Sequence, residues 1–101
     1  MNNGMVGKFV IVRCRDAGVH AGRLISHDGR QCVLEGARRL WFWKPANGAA
    51  FLSGVAVEGL DESSKVGAAV RIHLTENCEI IECSDRAAKS ISEFPDYVPT
   101  C

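Results

Sequence analysis

The sequence predicts an α+β domain, an antiparallel β-sheet of about five strands with two short helices, in one unit spanning residues 1–101. Three observations carry this. Several runs of β-branched and aromatic residues alternate with period two. Two of those runs flank Asp28-Gly29, a pair suited to the positive φ angles of a hairpin turn. Two other segments show helical spacing or a helix start signal.

The first strand is Lys8-Phe9-Val10-Ile11-Val12-Arg13-Cys14, followed by the turn Arg15-Asp16-Ala17-Gly18. Val19 to Ser26 alternates, with Val19, Ala21, Arg23 and Ile25 on one side and His20, Gly22, Leu24 and Ser26 on the other. After the His27-Asp28-Gly29-Arg30 turn, Gln31 to Glu35 returns as a third strand. Gly36 is a candidate bulge, and the chain extends again through Ala37-Arg38-Arg39-Leu40-Trp41-Phe42-Trp43. Lys44-Pro45-Ala46-Asn47-Gly48 stops it.

The first helix falls between Ala49 and Glu58, with Phe51, Leu52, Val55 and Ala56 sharing one face. Gly59 to Gly67 reads as a polar loop, Val70 to Leu74 as a strand, and Cys78 to Cys83 as another after a Thr75-Glu76-Asn77 turn. Asn77 in that turn has a structural Asx role as its default. Ser84 is the expected N-cap of a second helix over Asp85 to Glu93, which Pro95 ends, leaving a loose tail.

Composition narrows the class. With 47% hydrophobic and 24% charged residues the chain is not of the disordered type. No apolar run approaches the roughly 20 residues of a membrane span. Met1-Asn2-Asn3-Gly4-Met5 has neither a basic nor an apolar signal region, so a cytoplasmic protein is expected. Net charge is zero, but residues 8–44 hold eight cations against three carboxylates, and residues 45–101 hold four against nine. A basic half suits phosphate, or the acidic half of a neighbouring subunit. A chain of this size buries a modest share of its surface, so self-association into a homo-oligomer, a dimer or a multiple of it, is expected.

The cysteines are Cys14, Cys32, Cys78, Cys83 and Cys101. An odd number with no Cys-x-x-Cys pair fits a reducing compartment. Cys78, Cys83 and His73 have a spacing that invites zinc, but strand alternation sends the two thiols to opposite faces, so no metal site is expected.

The stretch richest in chemistry is Ala37 to Lys44. Period two puts Leu40 and Phe42 on one face, and Arg39, Trp41 and Trp43 on the other. An indole stacks on a nucleobase, and a guanidinium forks onto phosphate or base edges. An aromatic-rich core or interface strand explains the same residues. The candidate ligand-binding residues are therefore Arg38, Arg39, Trp41, Trp43 and Lys44, with His20 and Arg23 as further donors from the neighbouring hairpin and His27 and Arg30 near its turn. Alternation also means that only one of Arg38 and Arg39 reaches any given side. No nucleophile elbow, phosphate-binding loop or His-Glu-x-x-His motif is present, so a binding protein without a catalytic site or cofactor is expected.

Three pieces in this order resemble a known family: Val10 to Gly22, Ala37 to Trp43, and Leu74-Thr75-Glu76 followed by Ile80-Ile81 and the helix with Ala87-Ala88-Lys89-Ser90-Ile91. The chain resembles the first-described phage Thoeris anti-defence proteins. These are sponges that bind cyclic ADP-ribose-type immune signals, and in some members cyclic oligonucleotides of the CBASS pathway, without cleaving them. The resemblance implies a symmetric oligomer with pockets shared between subunits, acting in the cytoplasm of an infected bacterium. Phe42 stands where many members carry Tyr, which removes one hydroxyl. Two other classes stay open: a sheet-based RNA- or single-stranded-DNA-binding module, and an inhibitor that binds a host protein through Trp41 and Trp43.

Overall fold

The computed structural model describes residues 4–98. In chain order its elements are β1 (Phe9–Cys14), β2 (Val19–Asp28), β3 (Gln31–Phe42), α1 (Phe51–Glu58), β4 (Lys65–Val66), β5 (Val70–Leu74), β6 (Asn77–Glu82) and α2 (Asp85–Glu93). The α+β class and the antiparallel sheet are as expected, with six strands rather than about five. The additional strand, β4, lies in the stretch expected to be a polar loop. Val66 forms it by pairing with Leu40 and burying its side chain completely. Gly36 interrupts the β2–β3 register without ending β3, which runs on for 12 residues.

The pairings circulate. β1 pairs with β2, β2 with β3, β3 with β5, and β6 with β1, each antiparallel. β1 and β3 therefore run the same way, and so do β5 and β6. Only Thr75 and Glu76 separate β5 from β6, so the two form one bent strand that leaves β3 and joins β1. The sheet thereby closes into a small barrel, leaving β4 as a short extension beside the far half of β3.

Closure gives the protein two cores. Val10, Val12, Cys14, Leu24, Cys32, Leu34, Ala37 and Leu74 fill the barrel. Ile11, Ala21, Leu40 and Val66 face outward and pack against Leu52, Val55 and Ala56 of α1 and Ile91 of α2. Val10, Ile11 and Val12 are consequently all fully buried, alternate residues serving different cores. Burial of each such side chain contributes about 1.5–3 kcal/mol. At Gly22 the strands approach so closely that a Cβ would lie 2.9 Å from the Ala37 Cα.

The two helices start differently. Ser84 caps α2, its Oγ accepting from Ala87 N at 3.0 Å, and the same hydroxyl donates to Val57 O at 2.7 Å, which ties α2 to α1. α1 has no side-chain cap. Leu52, Val55 and Ala56 face the core as expected, but Phe51 does not: it sits at φ 67° and is 79% exposed. Its left-handed backbone turns the side chain out of the helical face assigned from spacing.

Candidate ligand-binding surface

Arg38 and Arg39 project to opposite sides of β3. Arg38 pairs across the ladder with Ala21, and so faces the helices. There it is 3% exposed, its Nε donating to Gly67 O at 2.8 Å and its terminal nitrogens to Ile91 O (3.1 Å), Phe94 O and the Asp96 carboxylate. The guanidinium thus fastens the end of α2 and the following segment to the sheet. That segment, expected to be a loose tail, is tied down further. Asp96 forms a parallel bridge with Val66, and Tyr97 N donates to Val66 O at 2.8 Å.

Arg39 is exposed and lies opposite His20. Among the described residues its guanidinium has no ion pair or hydrogen bond. Two residues along, Trp41 is 66% exposed. Its ring packs on Tyr97, with centroids 5.5 Å apart and planes inclined by 42°. The Lys65 ammonium lies over both rings, 5.5 Å from the Trp41 centroid and 5.2 Å from that of Tyr97. Three adjacent segments therefore build one platform: β3 supplies Trp41, β4 supplies Lys65, and the tail supplies Tyr97, with Arg39 two residues before Trp41 on β3. Beside it, a groove of about 280 Å³ runs past Phe94, Tyr97 and Val98.

The remaining candidates lie elsewhere or are already engaged. Trp43 does not share a face with Trp41. The β3–β4 register shifts by one residue between Leu40 and Phe42, so alternation breaks, Phe42 is left half exposed and Trp43 turns back onto the helix-side core. Arg23 is ion-paired with Glu35. Lys44 is exposed; its backbone hydrogen-bonds the Ser64 hydroxyl and Asp61 N, and its charge acts on the Asp61 carboxylate. His20 is 2% exposed, with Nε2 donating to Ala17 O at 2.8 Å. Burial pushes its imidazole below the ordinary histidine value; the Ala17 hydrogen bond opposes this, and the nearby Arg39 charge adds to it.

Lys65 and Tyr97 were not among the sequence candidates. Each lay in a stretch read as loop or tail, and only tertiary pairing places them beside Trp41. The thiols are also dispersed. Cys78 is exposed on β6, Cys83 packs toward the helices, Cys14 and Cys32 lie inside the barrel, and Cys101 lies outside the described residues. Asn77, assigned an Asx role from its turn, instead opens β6, and its Oδ1 is buried with no hydrogen-bond partner among the described residues.

Among the described residues no helix is long and apolar enough to cross a membrane. No curated protein and no solved structure matches the chain. A family model described as a domain of unknown function (DUF6948) matches residues 7–91, covering all six strands and most of α2, and the chain belongs to that family.

Proposed function

We propose that the protein binds and sequesters a cyclic nucleotide or cyclic ADP-ribose-type signal without cleaving it, as the Thoeris anti-defence sponges that it resembles do. The observation that supports this is the platform of Trp41, Tyr97 and Lys65, with the exposed Arg39 two residues before Trp41 on the same strand. It combines a largely open indole face with two cations, one of them unpaired among the described residues. Such a surface suits a base stacked on the indole and a phosphate held by the guanidinium. Sequestration needs affinity and protein concentration, and no bond to the ligand is made or broken.

An open platform covers one side of a ligand. In this reading a homo-oligomer supplies the other side, with protomers sharing each pocket. The protein then acts in the cytoplasm of an infected bacterium, and no cofactor takes part. The rival single-strand nucleic acid reading needs a continuous basic track. Lys8, Arg13 and Arg23, the cations along β1 and β2, are each paired with a glutamate.

The test is to incubate the protein with a panel of cyclic dinucleotides, cyclic trinucleotides and cyclic ADP-ribose isomers, remove free ligand, and heat-denature. Mass analysis is expected to recover an intact signal in stoichiometric amount. Recovery of a cleaved product, or retention of none of the panel, overturns the proposal.

A further inference from the structure

We propose that the corner between Trp41 and Tyr97 is a cation seat. It takes the positively charged base of a nucleotide, an N1-alkylated adenine or an N7-alkylated guanine, in exchange for the Lys65 ammonium. The inference rests on the nucleotide reading of the platform and narrows it to nucleotides whose base carries a charge.

The corner already holds a cation. The Lys65 ammonium lies 5.5 Å from the Trp41 centroid and 5.2 Å from that of Tyr97. Both distances fall within the roughly 6 Å over which a ring face attracts a positive charge. Among the described residues this ammonium has no ion pair or hydrogen bond, so the two rings are its partners. The rings are inclined by 42° and form an open angle rather than a closed stack. Trp41 is fixed on β3, and the Tyr97 backbone is fixed by its N–H donating to Val66 O at 2.8 Å. Asp96, just before it, is held by Arg38. The rings are thus in place before a ligand arrives, and the lysine on its flexible four-carbon stem is the part free to leave.

The exchange favours a flat cation. An ammonium is a compact, strongly hydrated point charge. An alkylated purine spreads its charge over a ring, so it stacks on the indole and meets the ring quadrupoles at once. A neutral base gains the stacking without the second attraction. The charges around the corner suit a ligand with both signs. Arg39, without an ion pair or hydrogen bond among the described residues, stands two residues before Trp41 on β3. Glu62, equally unpaired, lines the groove that Tyr97 borders. Asp96 in that groove is already matched by Arg38. The base cation then lies toward the carboxylate side, and the released Lys65 ammonium joins Arg39 on the phosphate.

The probes are N1-methyl-AMP and N7-methyl-GMP, each set against its unmethylated parent. They are titrated into the wild-type protein in weakly acidic buffer, where both methylated bases are cations. NMR follows the Trp41 indole and the Lys65 ε-methylene. Both methylated nucleotides should bind at least about fivefold more tightly than AMP and GMP. The Lys65 ε-methylene, shielded by the two rings in the free protein, should move toward its open-chain position as the base arrives. In Tyr97→Leu the preference for charge should fall to within about twofold. The ligand-side comparison keeps the wild-type fold, so it stands even if the variant unfolds. Equal binding of charged and neutral nucleotides, with the Trp41 signals moving, overturns the cation seat and leaves the platform reading intact. A preference shown by one methylated base alone reports shape rather than charge and overturns it too, as does binding that leaves Lys65 on the rings. No movement at Trp41 with any of the four up to about 20 mM also overturns it; recovery of an intact signal in the mass analysis above then decides separately whether the sequestration reading stands.

Discussion

Arg39 and His20 face each other across the β2–β3 ladder, the one exposed and the other almost fully buried. The pair puts a fixed positive charge beside an imidazole that burial already holds below its ordinary value of 6.5. In the unfolded chain that histidine titrates near about 6.5. Between that value and the lower folded value the unfolded state binds more protons, so stability rises with pH. His20 therefore adds stability above about pH 6.5 that is lost as pH falls toward the folded value. Urea unfolding between pH 7.5 and 5 should show this decline, and His20→Gln should flatten it.

Arg38 should prove the more important of the two adjacent arginines for stability. Its removal takes the guanidinium donor from the carbonyls of Gly67 and Phe94 and leaves Ile91 O with only the 3.3 Å bond from Phe94 N. Arg38→Ala is expected to cost about 3–5 kcal/mol in urea unfolding. Asp96→Asn, at the exposed end of the same ion pair, should cost about 1 kcal/mol or less. A similar loss for both variants would contradict this division of roles.

The two tryptophans should separate experimentally. Trp41→Ala is expected to reduce signal binding roughly ten- to a hundredfold, with little effect on unfolding. Trp43→Ala should instead destabilise the fold by about 2–4 kcal/mol, because its ring packs on the helix-side core. Tyr97→Ala should follow Trp41→Ala in direction. Calorimetric titration alongside chemical denaturation measures both properties on each variant.

Gly22→Ala is a packing test remote from any ligand. The new methyl meets Ala37 Cα at 2.9 Å, Glu35 O at 3.0 Å and Ala37 N at 3.2 Å, all backbone atoms. Side-chain rotation relieves none of these contacts, so a loss of about 1–3 kcal/mol is expected. An unchanged denaturation midpoint would show that the β2–β3 ladder yields more readily than its geometry indicates.

Thiol labelling should divide the cysteines. Burial pushes the Cys83 thiol up to about 12, with Glu82 adding to the effect, and the Cys32 thiol up to about 11, with Cys14 adding. In a Cys101→Ser background at pH 8, exposed Cys78 should react first with a disulfide reagent, and Cys83 and Cys32 only on unfolding.

Most strands and α2 were legible because their signals are local. β-branched runs, the Asp28-Gly29 turn and the Ser84 cap each act over a few residues. Alternation also implied that Arg38 and Arg39 part company, but not which one turns inward, since that depends on where α2 docks. The pairing of Trp41 with Trp43 failed for a related reason. A one-residue shift opposite Lys65 resets the pattern, and β4 carries only two residues from which to read it. The platform was half legible, because Lys65 and Tyr97 reach it through tertiary pairing. The uneven charge of the two halves reads differently in three dimensions: Lys8–Glu82, Arg13–Glu79 and Arg38–Asp96 join the halves within one chain.

The bent strand that leaves β3 and joins β1 also sets an order of events during synthesis. β1, β2 and β3 can form a meander as soon as they emerge from the ribosome, but β1 then has a bare outer edge, and the barrel side of Val10 and Val12 is unsealed. No intermediate length of chain repairs this, since the strand that covers β1 ends at Glu82. The nascent chain must hold its first strand ready for its sixth until Glu82 has emerged, and a chain stalled after Leu74 presents an open seam to any other β-edge nearby.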